Sequence, residues 1–93
     1  MSYGPDDKIV RDAPDDPYEQ LTAILRARIS RGDWQPDRAV TPETRLAEEY
    51  GLSRPTVRRA IDALVSADLL YRRPGRGAFV TPPQEAPDPG PTT

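Results

Sequence analysis

The 93-residue chain contains no cysteine and no histidine. The absence of both excludes disulfide bonds, zinc sites with thiolate or imidazole ligands, and catalysis by a cysteine or histidine side chain. Small secreted domains usually depend on disulfide bonds, so we expect a cytoplasmic protein. No apolar run approaches the roughly 20 residues of a membrane span, and residues 1–16 lack the apolar core of a signal peptide. We therefore expect no membrane partner.

Hydrophobic residues make up only 35% of the chain, and most of its twelve prolines lie near the two ends. Three prolines fall within the first 17 residues and five within the last twelve. We therefore expect a flexible acidic arm over residues 1–16, one folded domain over 17–81, and a disordered Pro-rich acidic tail over 82–93. Within the arm, Ile9 and Val10 can add a short docked segment.

The net charge of −2 conceals an uneven distribution of charge. Residues 17–81 contain eleven arginines against eight acidic residues, a net charge of +3, and residues 53–81 alone carry +4. A basic half between acidic ends is typical of nucleic-acid binding. The preference for arginine over lysine favours forked contacts with phosphate or guanine, although the codon usage of a GC-rich genome would produce the same preference.

Apolar residues at helical spacing predict three helices. The first begins behind an Asp16 cap and ends at Gly32, which supplies a left-handed stop. The second runs over residues 43–50 behind a Thr41 cap, and Ser53 caps the third. Trp34, which follows the first helix, either closes the core beneath it or stacks on a base, and we favour the core.

A short glycine-containing turn over residues 50–53 joins the second helix to the third, as in a helix-turn-helix. The third helix ends near Asp68. Two strand-like runs follow at 70–73 and 78–81, separated by the turn-forming residues 74–77. These elements predict a winged helix-turn-helix, a mainly α fold of three helices with a small β wing. In the wing, Leu70 and either Phe79 or Val80 are expected to face the core.

The outward face of the third helix carries two arginines, Arg54 and Arg58, which are four residues apart and unopposed on that face. Each can form a bidentate contact with guanine or grip a phosphate, and the alternative is a solvated helix face. Ser53 and Thr56 lie at the start of this helix, where backbone N–H groups favour a phosphate, although Ser53 is also the cap.

The predicted hairpin loop has a different chemistry. Gly75 and Gly77 permit positive φ and a close approach to the sugar-phosphate backbone. Arg76 is carried to the tip between them, where a narrow minor groove would attract it. Arg72 and Arg73 add positive potential at the base of the wing.

The predicted DNA-binding surface collects these positions and the start of the second helix. It comprises Thr44, Arg45, Ser53, Arg54, Pro55, Thr56, Arg58, Arg59, Arg73, Gly75, Arg76 and Gly77. Thr44 and Arg45 are placed to touch the adjoining backbone. Arg59 points sideways, either toward a phosphate or toward Asp62 or Glu48.

Residues 46–60, LAEEYGLSRPTVRRA, resemble the L-A-x-x-x-G-V-S-R-x-T-V-R-x-A pattern of the GntR family of bacterial transcription regulators. The resemblance covers about residues 17–81 and includes the wing run GRGAFV. It implies a winged DNA-binding domain in which Arg54 and Arg58 contact bases and phosphates. It also implies that Ser53 and Thr56 contact phosphates and that Gly75 lies at the minor-groove tip.

The chain departs from the family pattern in four places. Pro36-Asp37 stands for Pro-Gly, Val40-Thr41-Pro42 for Leu-Pro-Ser, Thr44 for an arginine that is here displaced to Arg45, and Asp68 for a glycine before the wing. Asp68 is expected to tighten or distort that turn. Family members usually carry a C-terminal effector-binding and dimerisation domain, whereas twelve Pro-rich residues follow Thr81 here. We expect a stand-alone regulator, with a trimmed piece of a longer protein as the alternative.

Three functions are compatible with the sequence. The favoured one is sequence-specific binding of double-stranded DNA by a regulator, a repressor rather than an activator, with two copies on an inverted repeat and a homodimer that forms only on DNA. A protein-interaction module would need an apolar or acidic recognition face. An enzyme would need an acid/base pair or nucleophile, which is not assembled, so we expect no enzymatic activity and no cofactor. Because the sequence shows no pocket-forming domain, we also expect no small-molecule effector.

Overall fold

The computed structural model describes residues 3–83, which form three helices followed by an antiparallel hairpin. The helices are α1 (Pro17–Arg31), α2 (Glu43–Tyr50) and α3 (Arg54–Ser66), and the strands are β1 (Leu70–Arg73) and β2 (Gly77–Val80). This is the predicted winged helix-turn-helix. The predicted tail lies outside the described residues from position 84 onward, and the division into arm, domain and tail stays a prediction.

The ends of α1 and α3 follow the predicted capping residues. The Asp16 backbone N–H donates to Oε1 of Glu19 at 3.1 Å, and Gly32 ends α1 at φ 91°. Ser53 Oγ accepts a hydrogen bond from the backbone N–H of Thr56 at 3.3 Å, as expected of an N-cap. α3 ends at Ser66, slightly before the predicted end near Asp68.

The cap predicted for α2 is wrong. Pro42, not Thr41, occupies the N-cap position, and none of the side chains that the structure describes makes a capping hydrogen bond there. The cause is the start of the helix at Glu43, which leaves Thr41 one position too early to reach the free N–H groups. At its other end α2 stops as predicted, since Gly51 adopts the left-handed conformation with φ 66°.

A single hydrophobic core joins all five elements. Leu21, Leu46, Val57 and Leu64 are completely buried. Burying each such side chain stabilises the fold by roughly 1.5–3 kcal/mol. Trp34 is half-buried and packs against this core, as favoured above. The core therefore fixes α3 from beneath and leaves its other face to solvent.

The wing has a single register, in which Leu70 pairs with Val80 and Arg73 with Gly77. β2 begins one residue earlier than predicted, at Gly77. Leu70 and Val80 are buried, whereas Phe79 is half-buried and stacks on Tyr71 with ring centroids 5.7 Å apart. Because successive strand residues point to opposite faces, Val80 and not Phe79 faces the core.

Both aspartates that replace family glycines adopt left-handed backbone conformations. Asp37 has φ 63° and Asp68 has φ 62°. The Asp37 side chain accepts a hydrogen bond of 2.7 Å from the Tyr71 hydroxyl, so it gains a contact that glycine would lack. Asp68 makes no side-chain hydrogen bond with any of residues 3–83.

We expect the substitution Asp68→Gly to raise the free energy of unfolding by about 0.5–1 kcal/mol, because relief of left-handed strain exceeds the entropy that glycine adds to the unfolded chain. Chemical denaturation measures this directly. Asp37→Gly is the matched control, since it relieves the same strain but loses the Tyr71 hydrogen bond, and it should gain less. A destabilised Asp68→Gly chain would contradict the strain argument.

In the part of the chain that the structure describes, none of the helices combines the length and apolar composition that crossing a bilayer requires.

Candidate nucleic-acid interface

The outward face of α3 is arranged as the spacing predicts. Val57, Ala60, Ile61 and Leu64 are buried on the inward side. Arg54, Pro55 and Arg58 are exposed, and Thr56 is half-buried. The helix therefore presents two guanidinium groups to solvent from its N-terminal half, which is the part of a recognition helix that reaches base edges.

The two arginines differ in their electrostatic surroundings. Arg54 forms no ion pair with any of residues 3–83. Arg58 is opposed by Glu43, with Nε 3.3 Å from Oε1, so the expectation that both are unopposed is wrong for Arg58. Its side chain remains 63% exposed. An ion pair this exposed contributes at most about 1 kcal/mol, so a nucleic acid can compete with Glu43 for Arg58.

Glu43 connects three elements, a role that the sequence did not reveal. Its other oxygen accepts a hydrogen bond of 3.1 Å from Nη1 of Arg72 on β1. Nη2 of Arg72 also donates to Oδ1 of Asp62 on α3 at 2.8 Å. Burial acts to lower the pKa of Arg72, but the hydrogen bonds to Asp62 and Glu43 outweigh it and raise the pKa. Arg72 thus braces the wing against α3 and α2, and the positive potential predicted for it is partly compensated by two carboxylates.

The start of α3 brings two hydroxyl groups together. Ser53 Oγ lies 2.9 Å from Thr56 Oγ1 while it also caps the helix. Both groups stand at the N-terminus of α3, where the positive end of the helix dipole favours an anion. The capping role of Ser53 and its position at an anion-favouring helix start are therefore compatible.

Arg59 has a different environment from Arg54 and Arg58. Its guanidinium carbon lies 3.9 Å from the centroid of the Tyr18 ring on α1. Neither Asp62 nor Glu48 pairs with it among residues 3–83. This cation–π contact holds α3 against α1, and it turns Arg59 toward that helix.

The wing tip is an exposed turn with open space around its backbone. The Arg76 N–H donates to the Arg73 carbonyl at 2.9 Å, with Pro74 and Gly75 at the two central positions. Gly75 has φ 75°, which matches the residue of a type II turn that requires positive φ. Apart from the glycine and its two chain neighbours, no heavy atom of residues 3–83 lies within 4 Å of where a Cβ would stand on Gly75 or Gly77. A groove lined by Thr44, Arg76 and Gly77 separates this tip from the start of α2.

The predicted DNA-binding surface contains arginines without acidic partners on three separate elements. Arg45 on α2, Arg54 on α3, and Arg73 and Arg76 in the wing are all exposed, and none forms an ion pair with residues 3–83. At the end of α1, by contrast, Arg28 and Arg31 both pair with Asp33 at 2.8 Å. Thr44 is exposed beside Arg45. Arginines without acidic partners attract an anionic ligand, and no ion pair has to be broken when the ligand binds.

The chain is similar in sequence to known bacterial transcription regulators. Residues 17–80 match the family described as "Bacterial regulatory proteins, gntR family". The chain is 45% identical to the HTH-type transcriptional repressor NagR of Bacillus subtilis (strain 168) over 67 aligned residues. The aligned region covers 72% of this chain. It is 35% identical to the histidine utilization repressor of Klebsiella aerogenes over 74 aligned residues, and this alignment covers 80% of this chain.

Among solved structures, the chain is similar to AraR(DBD) in complex with operator ORE1. The TM-score is 0.73 at 31% sequence identity, and the match covers 81% of this chain and 98% of that one. The chain spans only 28% and 31% of the length of the two repressors above. The likeness to these relatives is therefore one of the DNA-binding domain.

Proposed function

The chain belongs to the gntR family of bacterial regulatory proteins, and from that premise we propose that it binds a specific double-stranded DNA sequence and represses transcription. α3 lies in the major groove, and the wing tip lies in or near the adjoining minor groove. The observation that carries this proposal is a set of exposed arginines in the predicted DNA-binding surface that have neither an acidic partner nor a ring contact among residues 3–83, namely Arg45, Arg54, Arg73 and Arg76.

The residues of this surface divide by the part of the DNA that they meet. Arg54 and Arg58 reach base edges, where a guanidinium matches the two acceptors of guanine. The other members meet the backbone or the minor groove, and they are Thr44, Arg45, Ser53, Pro55, Thr56, Arg59, Arg73, Gly75, Arg76 and Gly77. Phosphate contacts of this kind fix the position of the protein, whereas base contacts select the sequence.

The number of protein copies on the DNA follows from how few base pairs one small domain can read. A single recognition helix reads only a few base pairs, so two copies on an inverted repeat would supply the missing specificity. We propose that the two copies form a homodimer on the operator, in the cytoplasm at the nucleoid. The same arrangement on a promoter would exclude the polymerase, as the repressor names of the two relatives suggest.

Selection of bound sequences from a random duplex pool tests the proposal. We expect enrichment of two half-sites related by a dyad, with centres about 10 base pairs or a multiple apart. The matched control is the double variant Arg54→Ala/Arg58→Ala, which should retain weak binding but enrich no site. A pool that stays random with the unaltered chain would contradict sequence-specific binding and leave a protein-interaction module as the better explanation.

A further inference from the structure

The segment before α1 is attached to the domain by a buried amide. Gln20 is completely buried, and its Oε1 accepts a hydrogen bond of 2.8 Å from the Val10 N–H. Its Nε2 donates to the Val10 carbonyl at 2.9 Å, so both backbone groups of Val10 are bound by one side chain. Ile9 packs against the core. The short docked segment expected around Ile9 and Val10 is therefore present.

This anchor places the next residue, Arg11, at the helix-turn-helix. Nη2 of Arg11 donates a hydrogen bond to the carbonyl oxygen of Gly51, which ends α2. Gly51 lies two residues before Ser53, the cap of α3. Since consecutive Cα atoms are about 3.8 Å apart, the two residues are separated by less than about 8 Å. The Arg11 guanidinium thus contacts the turn that leads into α3.

The chemistry of Arg11 leaves most of its hydrogen-bonding capacity unused. A guanidinium has five N–H donors, and the Gly51 carbonyl takes one of them. Arg11 is exposed and forms no ion pair with any of residues 3–83. The nearby Asp15 carboxylate instead accepts a hydrogen bond of 3.1 Å from the Tyr3 hydroxyl. Arg11 therefore presents a full positive charge and free donors beside the turn.

We propose that Arg11 binds a DNA phosphate next to the phosphate contacted by Ser53 and Thr56. The inference rests on the proposed function, because it requires α3 to lie in the major groove. Arg11 lies on the segment before α1 and not on a helix or the wing. Gln20 and Ile9 hold that segment against the domain. The Gly51 carbonyl orients the guanidinium before DNA arrives, which reduces the entropy lost on binding.

The salt dependence of binding to a random duplex tests Arg11 separately from sequence recognition. For Arg11→Ala we expect the affinity to fall about fivefold on all sequences alike, and the slope of log affinity against log salt to become shallower by about one. Arg11→Lys keeps the charge and should restore the slope. Arg26→Ala is the matched control, because Arg26 is an exposed arginine on the side of α1 turned away from its buried residues.

The outcomes separate the proposal from its alternatives. If Arg11 merely braces the Gly51 carbonyl, Arg11→Ala lowers the midpoint of thermal unfolding but leaves the salt slope unchanged, and the proposal is overturned. An equal change in slope for Arg26→Ala would also overturn it, since any lost charge would then suffice. If the unaltered chain selects no sequence from the random pool, the proposed function fails, whatever Arg11 does.

Discussion

Between 50 and 200 mM salt, the affinity of the chain for a random duplex should fall on the order of 100-fold. Binding that neutralises phosphates releases condensed counterions, and the slope of log affinity against log salt is about −0.9 for each phosphate neutralised. On a random duplex Arg54 can grip a phosphate instead of a base, so it counts together with Arg45, Arg73 and Arg76, which also form no ion pair with residues 3–83. With Arg11 as a further contact, we expect about four to five phosphates, which gives a slope near −4.

Fluorescence anisotropy of a labelled duplex over a salt series measures this slope. Arg45→Ala is an informative variant, because Arg45 is exposed near the start of α2 and its removal leaves the core and the wing intact. It should make the slope shallower by about one without changing the preferred sequence. An affinity that is independent of salt would mean that no phosphates are contacted, and the predicted DNA-binding surface would then serve another partner.

The helices, the turn and the wing were accessible from the sequence because their signals are local. Ser53 and Gly51 mark the start of α3 and the end of α2 by capping chemistry that involves only a few neighbouring residues. The outward position of Arg54 follows from the helical period once the buried residues of α3 are recognised. Thr41 misled because a threonine before a proline has the composition of a cap, whereas Pro42 itself occupies the N-cap position in front of Glu43.

The contacts that escaped prediction join residues far apart in the chain. Glu43 meets Arg58 and Arg72 across 15 and 29 residues, and Arg11 meets Gly51 across 40. No periodicity or motif relates such positions, because only the packing of α2, α3 and the wing brings them together. That Arg54 and Arg76 form no ion pair with residues 3–83 is equally a property of the folded surface, since it depends on where the carboxylates of the described chain lie.

The substitution Arg58→Ala should weaken binding to the selected operator by about 1–3 kcal/mol, or roughly 5- to 150-fold, and should relax the preference at one base pair. The loss has a geometric reason, because a bidentate guanidinium–guanine contact cannot be replaced by a methyl group. Glu43 Oε1 engages only Nε of Arg58, so within residues 3–83 the two terminal nitrogens of the guanidinium remain available. Affinities for the operator and for single-base variants of it measure both effects.

Glu43→Gln separates the orienting effect of Glu43 from its charge. Glutamine retains one oxygen that can accept from Arg58, whereas its NH2 group cannot accept from Arg72. It also removes a negative charge near the DNA, so we expect it to strengthen binding to every duplex by a similar factor. Arg54→Ala is the matched arginine variant, because it also loses a guanidinium from α3 but breaks no ion pair. If Arg58→Ala instead weakens binding to all duplexes equally, Arg58 is a phosphate clamp, and Arg54 alone reads bases from α3.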